Sequence, residues 1–264
     1  MTAAQLRQNT TSCKLFGTVV YSTAFLMYDL MHISELGVVL HIIANILFSI
    51  VYVDGARTDK EAQFDRVWAE ILAKYKSLRL KHKLTKLHLR QICDTRAPHA
   101  DFPVLKQVKA AEAKHLLRAV AAVALDHNSG SDIHTHRARV ASSLVEVYDI
   151  VESSGHFISN TAEFKAAASR FQIHYQWLAK RALQDGKKMW SVVNKFHHFE
   201  HMIAQGVFEN PALFWAYSGE DFVGRISRLG HMCLTGKPSY AMSPVLVDRY
   251  LIGFHLRLVR LQED

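Results

Sequence analysis

The fold is decided by Tyr28–Asp54, which reads YDLMHISELGVVLHIIANILFSIVYVD. From Leu36 to Val53 the stretch is apolar, except for one small or polar residue at every fourth position: Gly37, His41, Asn45 and Ser49. A helix places residues with this spacing on one face. We therefore predict a core helix packed on several sides, with its polar stripe facing a partner or a site. A membrane span is the alternative by length, but no second apolar stretch of similar length is present to cover the stripe.

The composition is that of a folded protein with a basic surface. The chain has 264 residues, which is enough to bury a substantial core. Apolar residues make up 49% and charged residues 21%, which excludes a disordered chain. The net charge of +8 favours an anionic partner such as nucleic acid, although net charge alone identifies no site.

The cysteines and the first residues indicate a compartment. Cys13, Cys93 and Cys233 are odd in number and far apart, which argues against a disulfide framework or a cysteine-based zinc site. A reducing compartment, nuclear or cytoplasmic, fits this pattern best. The first residues, MTAAQLRQNTTSCKLFG, show no apolar core after a charged start, so we do not expect a secreted protein.

Helical periodicity dominates the rest of the chain. One short strand is predicted at Phe16–Thr23, which is rich in β-branched and aromatic residues. Further helices are predicted over Asp59–Leu78, Leu105–Leu125, His136–Val151, Phe164–Gln184, Lys188–Gln205, Asp221–Cys233 and Pro244–Leu261. The expected fold class is mainly α, a helical array with one or two strands near the start.

A basic segment follows the helix predicted from Asp59. Lys76–Arg90, KSLRLKHKLTKLHLR, has no acid and six lysines and arginines: Lys76, Arg79, Lys81, Lys83, Lys86 and Arg90. Such a cluster is suited to contact the backbone phosphates of nucleic acid. A solvated helix face explains it equally well, because clustered like charge is common on protein surfaces.

Two histidine clusters raise the question of a metal site. His134 and His136 follow Asp132 in a predicted loop that enters a helix, and His197 and His201 are spaced to share one helical face. In the second cluster the intervening residues are His198, Phe199 and Glu200, so a glutamate does not directly follow the first histidine, as it does in the His-Glu-x-x-His motif of a helical zinc hydrolase. Because the geometry of metal ligands is demanding, structural roles are favoured for both clusters. The sequence contains no phosphate-binding loop and no nucleophile elbow.

Two acidic spots lie where helix ends can present functional side chains. Asp29-x-x-His32 comes between the predicted strand and the apolar helix. A capping aspartate and a core histidine explain this pair equally well. Glu220 and Asp221 fall in the first turn of a predicted helix, where they complement the helix dipole.

These segments carry a resemblance to a known family. YDLMHISELGVVLHIIANILFSIVY resembles the Asp-x-x-His segment of CACTA and related cut-and-paste DNA transposases. HFEHMIAQGVFENPALFWAYSGEDFVGRISRL resembles their later block, and LKQVKAAEAKHLL resembles a segment of the helical insertion that splits their RNase H-like core. The likeness extends to transposase-like open reading frames of dinoflagellate-type genomes and covers most of the chain in order.

The resemblance implies a site built from acids. In the family three acids hold two magnesium ions, which activate water or a DNA 3′-hydroxyl. Carried over, Asp29 and His32 are the Asp-x-x-His pair, and Glu220 is the late metal-binding glutamate. Asp221 stands beside it where the family has an arginine, and is a further metal-ligand candidate. Glu112 is a second candidate for the late acid.

The resemblance also implies a domain plan. Residues 1–57 would be a partial RNase H-like core segment, 58–209 a helical insertion-like region, and 210–264 C-terminal helices that return to the core. Residues 1–28 contain no Asp or Glu, so the two earlier catalytic aspartates of the family have no counterpart there. We therefore expect the C-terminal part of a transposase, without strand transfer of its own, with magnesium as cofactor only if it is active.

The expected partner is DNA, bound through the six basic residues of Lys76–Arg90, with self-association possible in principle and no membrane. Two alternatives remain open at this point. One is a helical interaction or scaffold protein with no nucleic-acid role. The other is an active metal-dependent nuclease, which requires Asp29 and Glu220 to lie within reach of bridged metal ions.

Overall fold

The computed structural model describes residues 28–55, 58–234, 236, 244–253 and 255. Within these residues the chain forms helices joined by loops, and no strand is present. The predicted mainly α fold class is confirmed for this part of the chain. The predicted strand at Phe16–Thr23 lies outside the described residues, and the described part gives no support to an RNase H-like remnant.

Eight helices make up the described part. They are α1 Met31–Val53, α2 Lys60–Ser77, α3 Ala110–Asp126, α4 Asp132–Ser153, α5 Thr161–Gln184, α6 Asn194–Gln205, α7 Tyr217–Leu234 and α8 244–253. The chain divides into two compact units, one up to Trp215 and one from Ala216. The first unit contains α1 to α6, and the second contains α7 and α8.

Side-chain caps fix the starts of α2, α4 and α5. Asp59, Ser131 and Asn160 each accept a hydrogen bond from the backbone amide three residues further on, at 3.0, 3.3 and 3.1 Å. This is the N-cap contact that satisfies an otherwise unpaired amide at a helix start. Because Ser131 supplies this cap, α4 begins at Asp132, ahead of the predicted start at His136.

Two other helices begin later than predicted. The helix predicted from Leu105 begins at Ala110, and the helix predicted from Lys188 begins at Asn194. The Leu105 amide donates instead to a carbonyl of α1, at 3.2 Å. Trp190 has a φ of 57°, a left-handed conformation that a helix interior does not accept. Contacts with the rest of the fold therefore override the helix propensity of both segments.

Helix α1 forms the centre of the first unit. Between Val38 and Val51 every residue except Leu40 and His41 is buried, and α1 packs against α2, α3, α4 and α6. The helix is long and apolar enough to cross a membrane, but 72% of its apolar window is buried by other residues of the chain. A helix whose residues are enclosed in this way has the burial of a core helix.

The polar stripe of α1 receives the loops that precede α3 and α6. Asn45 is fully buried, its side-chain amide donates to the Pro103 carbonyl at 3.3 Å, and its side-chain oxygen accepts the Trp190 amide at 2.7 Å. In the stripe position one turn before Asn45, His41 Nδ1 lies 3.3 Å from Ser191 Oγ. The stripe therefore faces partners within the chain, which attach two loops to the central helix.

The last stripe residue, Ser49, contacts a buried arginine. Arg137 of α4 is fully buried, and its Nη1 donates to Ser49 Oγ at 2.9 Å and to the carboxylate of Asp54. Its Nη2 donates to the His127 carbonyl at 3.2 Å. His134 Nε2 lies 3.1 Å from the other Asp54 oxygen. Because a buried guanidinium is tolerated only with such partners, these contacts tie α4 to the end of α1.

Four histidines bind protons more weakly than usual. Burial is the main cause of the lowered pKa of His41, His115, His136 and His174. His136 of α4 and His174 of α5 lie with their Nδ1 atoms 3.1 Å apart, and His136 also stacks on Trp177. The helix pair α4–α5 therefore holds two imidazoles, of His136 and His174, whose pKa values are lower in the folded chain than in the unfolded chain.

Replacing Asn45 with alanine is expected to lower the free energy of unfolding by about 2–4 kcal/mol. The substitution leaves the Trp190 amide and the Pro103 carbonyl without their side-chain partner, and each such loss costs about 1–3 kcal/mol. Urea denaturation followed by circular dichroism measures the change. Gln184→Ala, at an exposed position of α5, is the control and should change stability by less than about 0.5 kcal/mol. A loss below about 1 kcal/mol for Asn45→Ala would contradict the role of this side chain.

We expect the protein to lose stability as the pH falls through about 6.5. A histidine with a lowered pKa in the folded chain is protonated first in the unfolded chain, so falling pH favours unfolding. The effect levels off below the folded-state pKa, where both states are protonated. Denaturation between about pH 7.5 and about pH 5 measures it. His136→Phe should flatten the dependence, whereas the exposed control His156→Ala should not; identical curves for His136→Phe and wild type would refute the assignment.

Candidate functional site

The predicted pair Asp29 and His32 is brought together at the start of α1. One carboxylate oxygen of Asp29 accepts the Met31 amide at 3.0 Å, and the other bonds to His32 Nδ1. The side chains of Asp29 and His32 are 25% and 45% exposed. The pair therefore combines a helix-start contact with an accessible imidazole that is oriented by a carboxylate.

Next to this pair, α1 is kinked and holds a lysine of α6. Leu36 has non-helical angles, φ −93° and ψ 19°. Lys195 Nζ donates to the carbonyl oxygens of His32 at 2.7 Å and of Leu36 at 2.9 Å. Gly37 gives the lysine room, because a Cβ at that position would lie 2.4 Å from Lys195 Cδ. The first residue of the polar stripe is therefore the point at which a side chain of α6 passes close to α1.

Burial of the Lys195 ammonium shapes the electrostatics of this end of α1. Burial lowers the pKa of Lys195, and the Asp29 carboxylate acts in the opposite direction. Burial, followed by the charge of Lys195, lowers the pKa of His41. A groove lies alongside, lined in part by Leu40, Val193, His41 and Lys195. The groove combines apolar walls with an imidazole and an ammonium group that are both less basic than usual.

The other predicted acids have different surroundings. Glu112 accepts the Lys109 amide at 3.1 Å and completes a capping box at the start of α3, so its contact is structural and its catalytic role stays a prediction. Glu220 and Asp221 belong to α7, and their side chains lie outside the described residues. In the part of the chain that the structure describes, no group of three or more His, Cys, Asp or Glu side chains is arranged to hold a metal ion.

The two histidine clusters form separate pairs. His134 and His136 both lie inside α4, which begins ahead of the predicted start at His136, and their rings contact different partners. His197 and His201 of α6 lie with their Nε2 atoms 2.9 Å apart. The Tyr28 ring stacks against His201, with 5.7 Å between the ring centroids. Helix α6 therefore presents a pair of imidazoles close to the start of α1.

A second candidate site is the basic segment 76–90, which we call the basic strap. All of its lysines and arginines are exposed, and none forms an ion pair with a described residue: Lys76, Arg79, Lys81, Lys83, Lys86 and Arg90. Lys74, just ahead of the strap, does pair with Asp126, at 2.6 Å. Because α2 ends at Ser77, the interpretation of the segment as a solvated helix face is wrong beyond that residue. The strap continues as a loop up to a short 3-10 turn at Leu89–Gln91.

Leucines hold the strap against the first unit. Leu87 and Leu89 are each 1% exposed, and Leu80 and Leu84 are partly buried against the same core. These leucines stand between the basic residues in sequence, so burial of the leucines directs the neighbouring charges outward. The strap is thus a cationic surface that the core holds in place.

The strap leaves the end of α2 at an arginine in a left-handed conformation. Arg79 has a φ of 52°. The Leu80 amide donates to the Tyr75 carbonyl at 3.1 Å, and the Arg79 amide donates to the Lys76 carbonyl at 3.2 Å. These two bonds form the Schellman motif at the end of α2, in which glycine is the usual left-handed residue. An arginine costs about 1 kcal/mol there, so the local backbone does not explain this residue.

The residues of the site around Asp29, His32 and Lys195 were only partly predictable from the sequence. Asp29 and His32 stood out in the sequence as a pair, but the bond between their side chains was not predicted. Lys195 gave no signal, because nothing in its own neighbourhood marks it as a partner of α1. The available signal was Gly37, since a glycine inside a helical pattern often marks a close approach of another group.

Lys195→Met is expected to loosen the first turns of α1. The substitution removes the donor to the His32 and Leu36 carbonyls, at a cost of about 1–3 kcal/mol. Hydrogen exchange should become faster at the amides of residues 31–38. Lys188→Met, which removes an exposed contact to the Ala100 carbonyl, is the control and should leave these amides unchanged. Equal exchange in Lys195→Met and the wild type would contradict the role of this lysine.

Comparisons of the chain with protein-family models, with curated proteins and with solved structures give no match.

Proposed function

We propose that the protein binds the phosphate backbone of DNA through the basic strap, and that it derives from a cut-and-paste transposase. The observation that carries the DNA-binding part is that six lysines and arginines of one segment are exposed and form no ion pairs with the described residues. Exposed lysines and arginines neutralise phosphates and release counterions. This supplies affinity for DNA without any element that reads the nucleotide sequence.

The charge distribution supports the strap as the contact surface. The chain contains 32 lysines and arginines and 24 acids. The strap contains six lysines and arginines and no acid, and the rest of the chain contains 26 lysines and arginines and 24 acids. Six of the eight net positive charges therefore belong to the strap. Charge concentrated on one surface attracts a polyanion more strongly than the same charge dispersed over the fold.

Arg79 gives independent support. Its left-handed backbone favours glycine, which would remove strain at this helix end. A residue that is unfavourable for the backbone is retained most readily where its side chain is used. Arg79 extends the charge of the strap to the end of α2, next to Lys76.

The transposase origin rests on the resemblance of the Asp29–His32 segment and of the block around Glu220, and an RNase H-like fold for residues 1–57 is part of that proposal. We assign no strand transfer to this chain alone. Two-metal catalysis needs several carboxylates around ions about 3.5–4 Å apart, and residues 1–28 supply none. The proposed activity is therefore binding.

The full chain should bind duplex DNA with an affinity that falls steeply with salt. The slope of log affinity against log salt should be about −0.9 for each phosphate contacted. Lys81→Gln/Lys83→Gln should make this slope shallower by about 1.8, because two contacts are lost. Fluorescence anisotropy of a labelled duplex over a salt series measures the slope. Lys165→Gln/Lys180→Gln removes two exposed lysines of α5, is the matched control, and should leave the slope unchanged.

The same measurement on Arg79→Gly separates binding from stability. Glycine relieves the left-handed strain, so stability should stay equal or rise by up to about 1 kcal/mol while DNA affinity falls. If the wild type fails to bind DNA at low salt, the proposal is wrong and a helical interaction or scaffold protein becomes the better description. Cleavage of the duplex when Mg²⁺ is added would instead support the nuclease alternative.

A further inference from the structure

The histidine pair of α6 has no part in the proposed DNA contact. His197 and His201 are one helical turn apart and both exposed, and their ring planes cross at 76°. Their Nε2 atoms lie 2.9 Å apart, a hydrogen bond in which one ring donates to the lone pair of the other. If the donating ring carries its proton on Nδ1 instead, the lone pairs of both Nε2 atoms are free and face the space between the two rings.

The distance between the two nitrogens is closer to that of one coordination angle than to that of the other. With metal–nitrogen bonds of about 2.0–2.1 Å, two ligands at a right angle lie about 2.9 Å apart, and two ligands at the tetrahedral angle lie about 3.3–3.4 Å apart. In their hydrogen bond the Nε2 atoms of His197 and His201 are 2.9 Å apart, so right-angled coordination requires the smaller change in this distance. Right angles are typical of Cu²⁺ and Ni²⁺, whereas Zn²⁺ in proteins is usually tetrahedral.

The surroundings favour binding at this pair. The Tyr28 ring is stacked on His201 with the planes 7° apart, which limits the freedom that the ring loses when it binds an ion. Beside the pair lies a groove that is lined in part by His197, Glu200 and Gln172. The exposed side of an ion held there is therefore open to water or to oxygen donors.

We propose that His197 and His201 chelate one divalent transition-metal ion with right-angled coordination, and that Cu²⁺ binds more tightly than Ni²⁺. The preference follows from the general affinity order of nitrogen sites for these ions. Both rings bind as neutral imidazoles, and no change of oxidation state is involved. Two protein ligands leave the remaining positions open, in contrast to the closed shell of a structural zinc site.

Titration of the untagged full chain with Cu²⁺, Ni²⁺ and Zn²⁺ tests the proposal, with glycine present as a competing ligand. Calorimetry should show one tight Cu²⁺ equivalent, and electron paramagnetic resonance should show two imidazole nitrogens bound to it. His201→Ala/Ala204→His is the matched variant, since it keeps the number of histidines but sets the rings two turns, about 10 Å, apart. Its Cu²⁺ affinity should be at least about tenfold lower, because the second ligand no longer binds intramolecularly.

His197→Gln provides a second variant and should show the same loss. His197, His201 and Ala204 are all exposed on α6. Circular dichroism verifies that the variants are folded. The proposal is overturned if the wild type and both variants bind Cu²⁺ equally, if fewer than two imidazole nitrogens bind the ion, or if Zn²⁺ binds more tightly than Cu²⁺.

Discussion

The hydrogen bond from the Trp190 amide to Asn45 illustrates the constraint on which the first unit depends. Helix α1 is enclosed by other helices, so each polar group on it must find its partner inside the chain. A fully buried amide side chain without partners would cost several kcal/mol. The surrounding loops therefore adopt the conformations that supply those partners, even where this places Trp190 in a left-handed backbone conformation.

The same constraint positions both histidine-containing surfaces. Lys195 reaches α1 through the space left by Gly37 and binds two of its carbonyl groups, which fixes the first turn of α6 against the start of α1. Asp29 and His32 lie on one side of this junction, and the Tyr28 ring lies against His201 on α6. These side chains therefore lie around the junction at which Lys195 satisfies main-chain carbonyl groups of α1.

Periodicity was predictable from the sequence. The spacing of the stripe predicted that α1 is a core helix, because this pattern depends only on helix geometry. Asp29 and His32 were singled out as a pair, but the bond between their side chains was not predicted. The starts of α3 and α6 were not predictable, because hydrogen bonds to α1 from loops distant in sequence determine them. Lys195 and Arg137 were missed for the same reason, since each is defined by a partner on another helix.

The basic segment shows where a sequence pattern allows two structures. Its lysines and arginines are compatible with a solvated helix face and with a phosphate-binding surface. The burial of the leucines that stand between these residues determines which conformation the segment adopts. A loop with like charges repels itself, but a pair of unit charges 4 Å apart in water costs only about 1 kcal/mol, and salt screens the interaction beyond about 10 Å. Burial of a leucine contributes about 1.5–3 kcal/mol.

Leu87 and Leu89 are both fully inside the core, so burial exceeds the repulsion and the strap stays against the fold without any anion. An anion that binds there meets charges that are already in place, and little of the binding free energy is spent on ordering the loop. The apolar side chains of the strap are therefore as important for phosphate binding as its lysines and arginines, because they convert a self-repelling segment into a preformed cationic surface.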